Sequence, residues 1–196
     1  LTTVRSWDVI IHNYLLDRNI VIHQFKKTAN YESLVGGYVK EPKIGMSKWV
    51  VSFDLNSLYP HLIMQYNISP EMMVGREQYF PTIESIIDGH AVIEGPYAVA
   101  ANGVKFRKDK QGFLAALMEK MYNDRVEYKN KMLESKQLLE DTPEDKVEER
   151  RLIGNDIAKY HNLQLAKKIQ LNSAYGALGN EYFRWFSFDM AEAITM

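Results

Sequence analysis

The sequence predicts an α+β fold in which a small body of short strands and helices carries an antiparallel two-helix hairpin. Three observations predict it. From Phe113 to about Leu139, apolar residues recur at helical spacing, with Leu114, Leu117, Met118, Met121 and Tyr122 on one side. Thr142-Pro143-Glu144-Asp145 then reads as a second helix start: a hydroxyl cap, proline at the first position and acid facing the positive end of the helix dipole. Lys48-Trp49-Val50-Val51-Ser52-Phe53 is rich in β-branched and aromatic residues and predicts a buried strand that stops abruptly at Asp54.

The remaining elements follow in order. Val4, Trp7, Ile10, Ile11, Tyr14 and Leu15 share one face of a helix expected to end near Asn19. Gly36-Gly37 followed by Tyr38-Val39 predicts a loop running into a short strand, with close backbone approach at the glycines. After Asp54, Asn56 or Ser57 caps a helix bearing Leu58, Leu62, Ile63 and Tyr66, with Pro60 confined to its first turn. Pro70, Pro81, Gly89, Gly95 and Pro96 break up Asn67 to Gly103, where only short elements are expected. The second long helix is expected to run toward Ser173, with a bend or brief stop at Gly154-Asn155 and termination at Gly176 and Gly179. Tyr182 to Phe188 reads as a short extended segment.

Composition bounds the functional classes. At 196 residues with 46% apolar and 25% charged residues, the chain fits one large domain or two small ones and is neither disordered nor collagenous. No apolar run approaches the ~18 residues of a membrane-spanning helix, and Leu1 to Ile10 lacks the form of a secretory signal, so a soluble intracellular protein with no membrane partner is expected. The absence of Cys excludes disulfides, thiolate zinc sites and cysteine nucleophiles, leaving oxygen or imidazole ligands for any metal. His12, His23, His61, His90 and His161 show no ligand spacing.

A net charge of −1 hides two opposed segments. Lys105 to Lys136 holds nine bases against five acids, whereas Glu140 to Arg150 holds six acids against two bases. A hairpin built from these has basic stems and an acidic tip, which favours a polyanion near the stems; a pair of solvated helices of mixed charge gives the same counts. Arg125 and Lys129 lie one turn apart on the first helix, and Lys168, Asn172 and Tyr175 follow at i, i+4, i+7 on the second. Opposed across a hairpin, they form a reasonable clamp for a triphosphate, Arg as a bidentate fork and Lys as a point charge. With the turn near Asp141, however, Arg125 and Lys168 are offset by ~16 Å at 1.5 Å per residue, which a longer tip or a break at Gly154 must absorb. At Asp54, a turn or capping role competes with metal binding. A carboxylate at a strand end, together with the next backbone carbonyl, can hold Mg²⁺ while the helix start beyond it offers amides to phosphate.

Phe53-Asp54-Leu55-Asn56-Ser57-Leu58-Tyr59-Pro60 resembles motif A of family B DNA polymerases (D-x-x-S-L-Y-P), and Lys168-Ile169-Gln170-Leu171-Asn172-Ser173-Ala174-Tyr175-Gly176 resembles their motif B (K-x-x-x-N-S-x-Y-G). Val35-Gly36-Gly37-Tyr38 is similar to the Y-x-G-G/A element that precedes motif A. Gly37 to Pro42, Asn67 to Glu71 and the surroundings of Trp7-Asp8 are closest in wording to polymerases of T-even-type phages. The resemblance implies a connector leaving the exonuclease region at 1–30, part of the palm at 31–112, the fingers hairpin at 113–175 and a return into the palm at 176–196.

It also implies site roles. Asp54 would ligate both catalytic Mg²⁺ ions, with the Leu55 carbonyl on the nucleotide-bound one. Ser57, Leu58 and Tyr59 would hold the dNTP triphosphate through backbone amides, Tyr59 also lying beneath the sugar as a steric gate. Arg125, Lys129 and Lys168 would bind the triphosphate, Asn172 the nucleotide, and Asn172 and Tyr175 the nascent base pair. Gly36, Gly37 and Gly176 would allow close approach of primer-template DNA. The implied reaction is in-line attack of a primer 3′-oxygen on the α-phosphate by a two-metal mechanism in the cytoplasm of an infected host.

The pattern departs from the family in specific places. Motif C (Y-x-D-T-D-S), which carries the second principal aspartate, does not occur in these residues, nor do exonuclease motifs or a thumb. The chain is therefore expected to need those parts, in cis or from a second chain, and to be inactive alone. Val35, Asn56 and His61 stand where the family often has Tyr, Thr and Ser. A noncatalytic nucleotide- or nucleic-acid-binding module is the competing reading. A metal-dependent phosphate-ester hydrolase is disfavoured because no second acid or His cluster accompanies Asp54.

Overall fold

The computed structural model describes residues 2–25, 36, 37, 39–77, 81–90 and 95–196. Its elements are α1 (Thr3–Leu16), α2 (Leu58–Gln65), a 3-10 turn (Pro70–Met72), β1 (Met73–Arg76), α3 (Ile83–Ile87), β2 (Tyr97–Val99), β3 (Val104–Arg107), α4 (Phe113–Asp141), α5 (Val147–Leu178) and α6 (Phe188–Thr195). The α+β expectation holds, with the long α4–α5 hairpin dominating. Among the described residues no helix is long and apolar enough to cross a membrane.

The three strands form one antiparallel sheet in the order β1-β3-β2. Its β2–β3 turn runs through Ala100 to Gly103, and Gly103 supplies the positive φ of 81° that closes it. Asn102-Gly103 is a strong hairpin signal that the mixed composition of this region masked. Val104 and Phe106 point from β3 into a core shared with Trp7, Ile11 and Leu15 of α1, Ile63 of α2, Leu114, Leu117 and Met118 of α4, and Leu171, Ala174 and Leu178 of α5.

The base of α4 is fixed by residues far from it in sequence. Its N-cap, Gly112, has no side chain to satisfy the first-turn amides. Asn67 Oδ1 accepts from Gly112 N at 2.8 Å, Glu71 from Phe113 N at 2.6 Å and Ser69 from Leu114 N at 3.3 Å. A Cβ at position 112 would come within 2.5 Å of the Ser69 Cβ, so only glycine lets the two segments meet. At the other base, Trp7 Nε1 donates to Ser173 Oγ at 3.0 Å, tying α1 to the end of α5.

Several local expectations are corrected. Residues 48–53 form no strand: Trp49, Val50, Val51 and Phe53 are exposed, Phe53 at 91%, and no described strand pairs with them. A strand satisfies its backbone only through a neighbour, so β-rich composition without one leaves an irregular segment. Residues 39 and 40 likewise form no strand, while Val35 and Tyr38 lie outside the described residues. Thr142 is not the cap of α5. It closes α4, its hydroxyl donating to the Leu138 carbonyl at 2.6 Å, and α5 begins at Val147. α5 passes unbroken through Gly154-Asn155 and Gly176 and stops at Gly179, because isolated glycines cost only ~1 kcal/mol each and the packing of α5 against α4 outweighs that. Residues 182–185 are turns and bends rather than an extended segment, and Ser187 caps α6 by accepting from Met190 N. α1 ends at Leu16 and unwinds through a left-handed Asn19.

Candidate functional site

The turn between Asp54 and α2 is the centre of a cleft of about 550 Å³. Its floor is the run from Asp54 to Pro60; its walls are Arg125 of α4 and Lys168 and Asn172 of α5. Ser57 precedes α2 in the left-handed conformation, φ 53° and ψ 46°, which is uncommon for a residue with a side chain. It does not cap the helix with its hydroxyl. Its Oγ instead accepts from Arg125 Nη1 at 3.1 Å. The amides of Leu58 and Tyr59 open α2, where first-turn amides have no partner within the helix, and Pro60 at the next position has none to offer. These donors carry the positive end of the helix dipole.

The cations converge as the spacing suggested, with one exception. Arg125 lies 16 residues before the end of α4 at Asp141, and Lys168 lies 21 residues after the start of α5 at Val147. The five-residue tip thus absorbs about half of the expected offset, leaving ~8 Å for two long side chains to span. The adjacent residues set the level: Asp124 and Lys167 form an ion pair across the hairpin at 2.7 Å, both largely shielded. Lys167 is consumed by that pair, whereas no described residue pairs with Lys168. Arg125 Nε is buried without a hydrogen-bond partner, an unusual state for a guanidinium nitrogen. Lys129 is the exception. It is exposed and lies outside the cleft, one turn further toward the tip.

Tyr59 and Tyr175 meet at 4.9 Å between ring centroids with a 54° tilt, at the joint between α2 and α5. Burial, followed by the neighbouring Tyr59, holds the Tyr175 phenol above its ordinary pKa. Gly37 abuts Tyr59, since a Cβ there would lie 3.1 Å from the Tyr59 hydroxyl. Gly36 and Gly176 face open space. Asp54 is exposed and no described residue bonds its carboxylate. Among the described residues no three acidic or His side chains cluster into a metal site.

Sequence reasoning overlooked the residues that brace this cleft. His61 bonds the Ser57 carbonyl through Nδ1 at 2.9 Å and meets the Tyr122 ring edge-on at 4.8 Å. Its signal was its place one helical turn after Ser57, and that of Tyr122 its place three residues before Arg125. The acidic and basic partners Asp124 and Lys167 adjoin the predicted cations. Elsewhere in the basic segment three bases are ion-paired, Lys105 with Glu77 at 2.5 Å, Arg107 with Asp109 and Lys131 with Glu127 at 2.5 Å, so not every base there is free to meet a polyanion.

Comparison with known proteins converges on one family. The model of "DNA polymerase family B" matches residues 4–196. The DNA-directed DNA polymerase of Escherichia phage RB69 is 34% identical over 98% of this chain and 25% of its own length, and that of Enterobacteria phage T4 is 29% identical over 100% and 26%. The family B DNA polymerase structure from Pyrobaculum calidifontis covers 100% of the chain and 22% of its own, with a TM-score of 0.60 and 26% identity. The chain thus spans about a quarter of the length of the two phage relatives. With both motif-bearing segments meeting in one cleft and the family match running through them, the chain belongs to DNA polymerase family B.

Proposed function

We propose that this chain is the part of a DNA-directed DNA polymerase that binds the incoming dNTP and supplies one of its catalytic carboxylates. The observation that carries the reading is the meeting of Asp54, the α2 amides, Arg125, Lys168 and Asn172 around one cleft. The partly shielded Arg125, with its Nε unpartnered, suits a phosphate oxygen, which would complete its hydrogen bonds. Residues 31–112 and 176–196 then act as palm and 113–175 as fingers.

The donor set suits Mg²⁺ in kind, since Asp54 and the Leu55 carbonyl are hard oxygen ligands and this ion keeps several water or phosphate oxygens. When bound, Mg²⁺ supplies charge neutralisation at the phosphate oxygens. The chain's own groups do the rest. Leu58 and Tyr59 amides and the Ser57 turn hold the triphosphate, while Arg125 and Lys168 offset the charge that gathers on the pyrophosphate as it leaves. Tyr59, braced by Tyr175, supports the sugar, and Asn172 and Tyr175 border the base. A primer 3′-oxygen forms the new bond to the α-phosphorus as the bond to the bridging oxygen of pyrophosphate breaks. The primer-template DNA and the segment bearing the second carboxylate come from outside these residues. The exposed run from Val50 to Leu55, just past the left-handed Trp49, suits a strand that pairs with that segment.

Primer extension tests the proposal. The 196-residue chain alone is expected to extend nothing; mixed with a polypeptide carrying the Y-x-D-T-D-S strand and a thumb, it is expected to extend a primer. Asp54→Ala should then lower the rate about a thousandfold, equivalent to ~4 kcal/mol of transition-state stabilisation. Extension that survives Asp54→Ala undiminished would refute the assignment.

A further inference from the structure

We infer that His61 is a positioning residue for triphosphate binding: it holds the left-handed turn at Ser57 and keys that turn to the α4 face bearing Arg125. This rests on the cleft being the nucleotide site. Four observations meet at this residue. The Ser57 carbonyl only accepts, so His61 Nδ1 carries the proton and donates to it at 2.9 Å. The same carbonyl accepts from His61 N at 3.1 Å, so one residue anchors it twice. The far side of the imidazole packs edge-on against Tyr122, 4.8 Å between centroids and 80° between planes. Tyr122 precedes Arg125 by one turn on α4, and Arg125 Nη1 closes the loop by bonding Ser57 Oγ at 3.1 Å.

The consequence is mechanical. A serine in the left-handed region is strained, and it stays there only where its surroundings hold it. Ser57 is held at the carbonyl by His61 and at the hydroxyl by Arg125. A ligand phosphate that draws Arg125 away releases the second hold, leaving His61 to keep the Leu58 and Tyr59 amides aimed into the cleft. His61 is not among the residues lining the cleft; it acts through Ser57 and Arg125.

Hydrogen exchange on the 196-residue chain tests this without any ligand. The amides of His61 and Leu62, in the first turn of α2, report the hold. Helix propensity alone makes His61→Ala slow their exchange, because alanine favours helix. The positioning role makes it faster, by about fivefold or more. His61→Asn, whose Nδ2 sits on the same γ carbon reach as the imidazole Nδ1, should restore exchange to within about twofold of wild type. Tyr122→Leu, which keeps apolar packing and loses the ring contact, should give an intermediate rate. Exchange in His61→Ala at or below the wild-type rate overturns the proposal. If His61→Ala loosens the whole chain, α5 amides speed up as well, and the Asn and Leu variants then decide: a His61→Asn variant no slower than His61→Ala overturns it.

Titration with MgdATP separates this inference from the reading beneath it. His61→Ala should weaken binding about fivefold and His61→Asn restore it. If Asp54→Asn and Lys168→Ala leave MgdATP affinity unchanged while the exchange result holds, the nucleotide reading fails and the turn-holding role of His61 stands. If those two variants weaken binding and His61→Ala does not, the positioning inference alone fails.

Discussion

The α4–α5 hairpin and the segment from Val39 to Asn56 both deliver predicted site residues, and they do so by opposite means. Along its length the hairpin supplies its own partners, and only the base of α4 draws its caps from elsewhere, from Asn67, Ser69 and Glu71. Its backbone bonds are local, its helices are leveled by Asp124–Lys167, and its tip is held by Arg150, which donates to the Leu139 carbonyl at 2.9 Å and also to that of Thr142. The 39–56 segment has no regular structure, exposes Trp49 and Phe53, and turns through a positive φ of 61° at Trp49. The difference is where hydrogen-bond partners come from: a helix finds them four residues away, a strand only on another strand. The cations at Arg125 and Lys168 are therefore placed by helices, while the carboxylate at Asp54 sits at the end of a segment with which no described strand pairs.

Stability measurements give the largest contrast. Trp7 is 1% exposed and ties α1 to Ser173, so Trp7→Ala should cost ~3–5 kcal/mol in urea unfolding. Phe53, of comparable bulk, should change stability by no more than ~0.5 kcal/mol when replaced by alanine. Equal costs would break the comparison, because Phe53 would then be packed. Adding the polypeptide that carries the second carboxylate sharpens it: the Phe53→Ala cost should rise only in its presence.

The same distinction explains what the sequence made legible. Both long helices, the buried face of Trp7, Ile11 and Leu15, and the start of α2 with Pro60 in its first turn were readable because helical periodicity and proline chemistry act within a few residues. The convergence of Asp54, Arg125, Lys168 and Asn172 followed from that order plus the family resemblance. The strand over 48–53 was misread because local composition carries no record of whether a pairing partner exists. Thr142-Pro143 was misread because a hydroxyl can close one helix as well as open the next, and the Leu138 carbonyl won. The caps on α4 from Asn67, Ser69 and Glu71 were invisible because they come from more than forty residues away. His61 was noticed only as a departure from the family's serine; its carbonyl bond depends on the left-handed turn at Ser57, which nothing in the sequence announced.

A mid-sized effect belongs to the hairpin tip. Arg150→Ala removes donors from two carbonyls at the C-terminal end of α4, where helix carbonyls lack partners of their own. The expected cost is ~1–2 kcal/mol, given the net worth of charged hydrogen bonds at a partly exposed site. Exchange should quicken around residues 138–147 and stay unchanged at α2. Loosening that reached α2 would show the tip and the cleft to be coupled, and the tip would not be held by local partners alone.

The smallest effect is read at the joint between the two regions, where Tyr175 of the hairpin meets Tyr59 just beyond the exposed segment. Burial and then Tyr59 hold the Tyr175 phenol above its ordinary value near 10. For an acid raised on folding, the folded chain binds more protons above that value than the unfolded chain does. Its contribution is therefore intact below pH ~10 and declines as pH climbs through the folded value. An ultraviolet titration should show one phenol ionising above the others, and Tyr59→Phe should bring it down toward the ordinary value by removing the neighbouring hydroxyl. Unfolding in denaturant should return it fully. A Tyr175 that titrates with the exposed tyrosines would mean that the start of α2 is not held against α5. The irregular segment would then reach further into the cleft than Ser57, and the amides of Leu58 and Tyr59 would be no better fixed than Asp54.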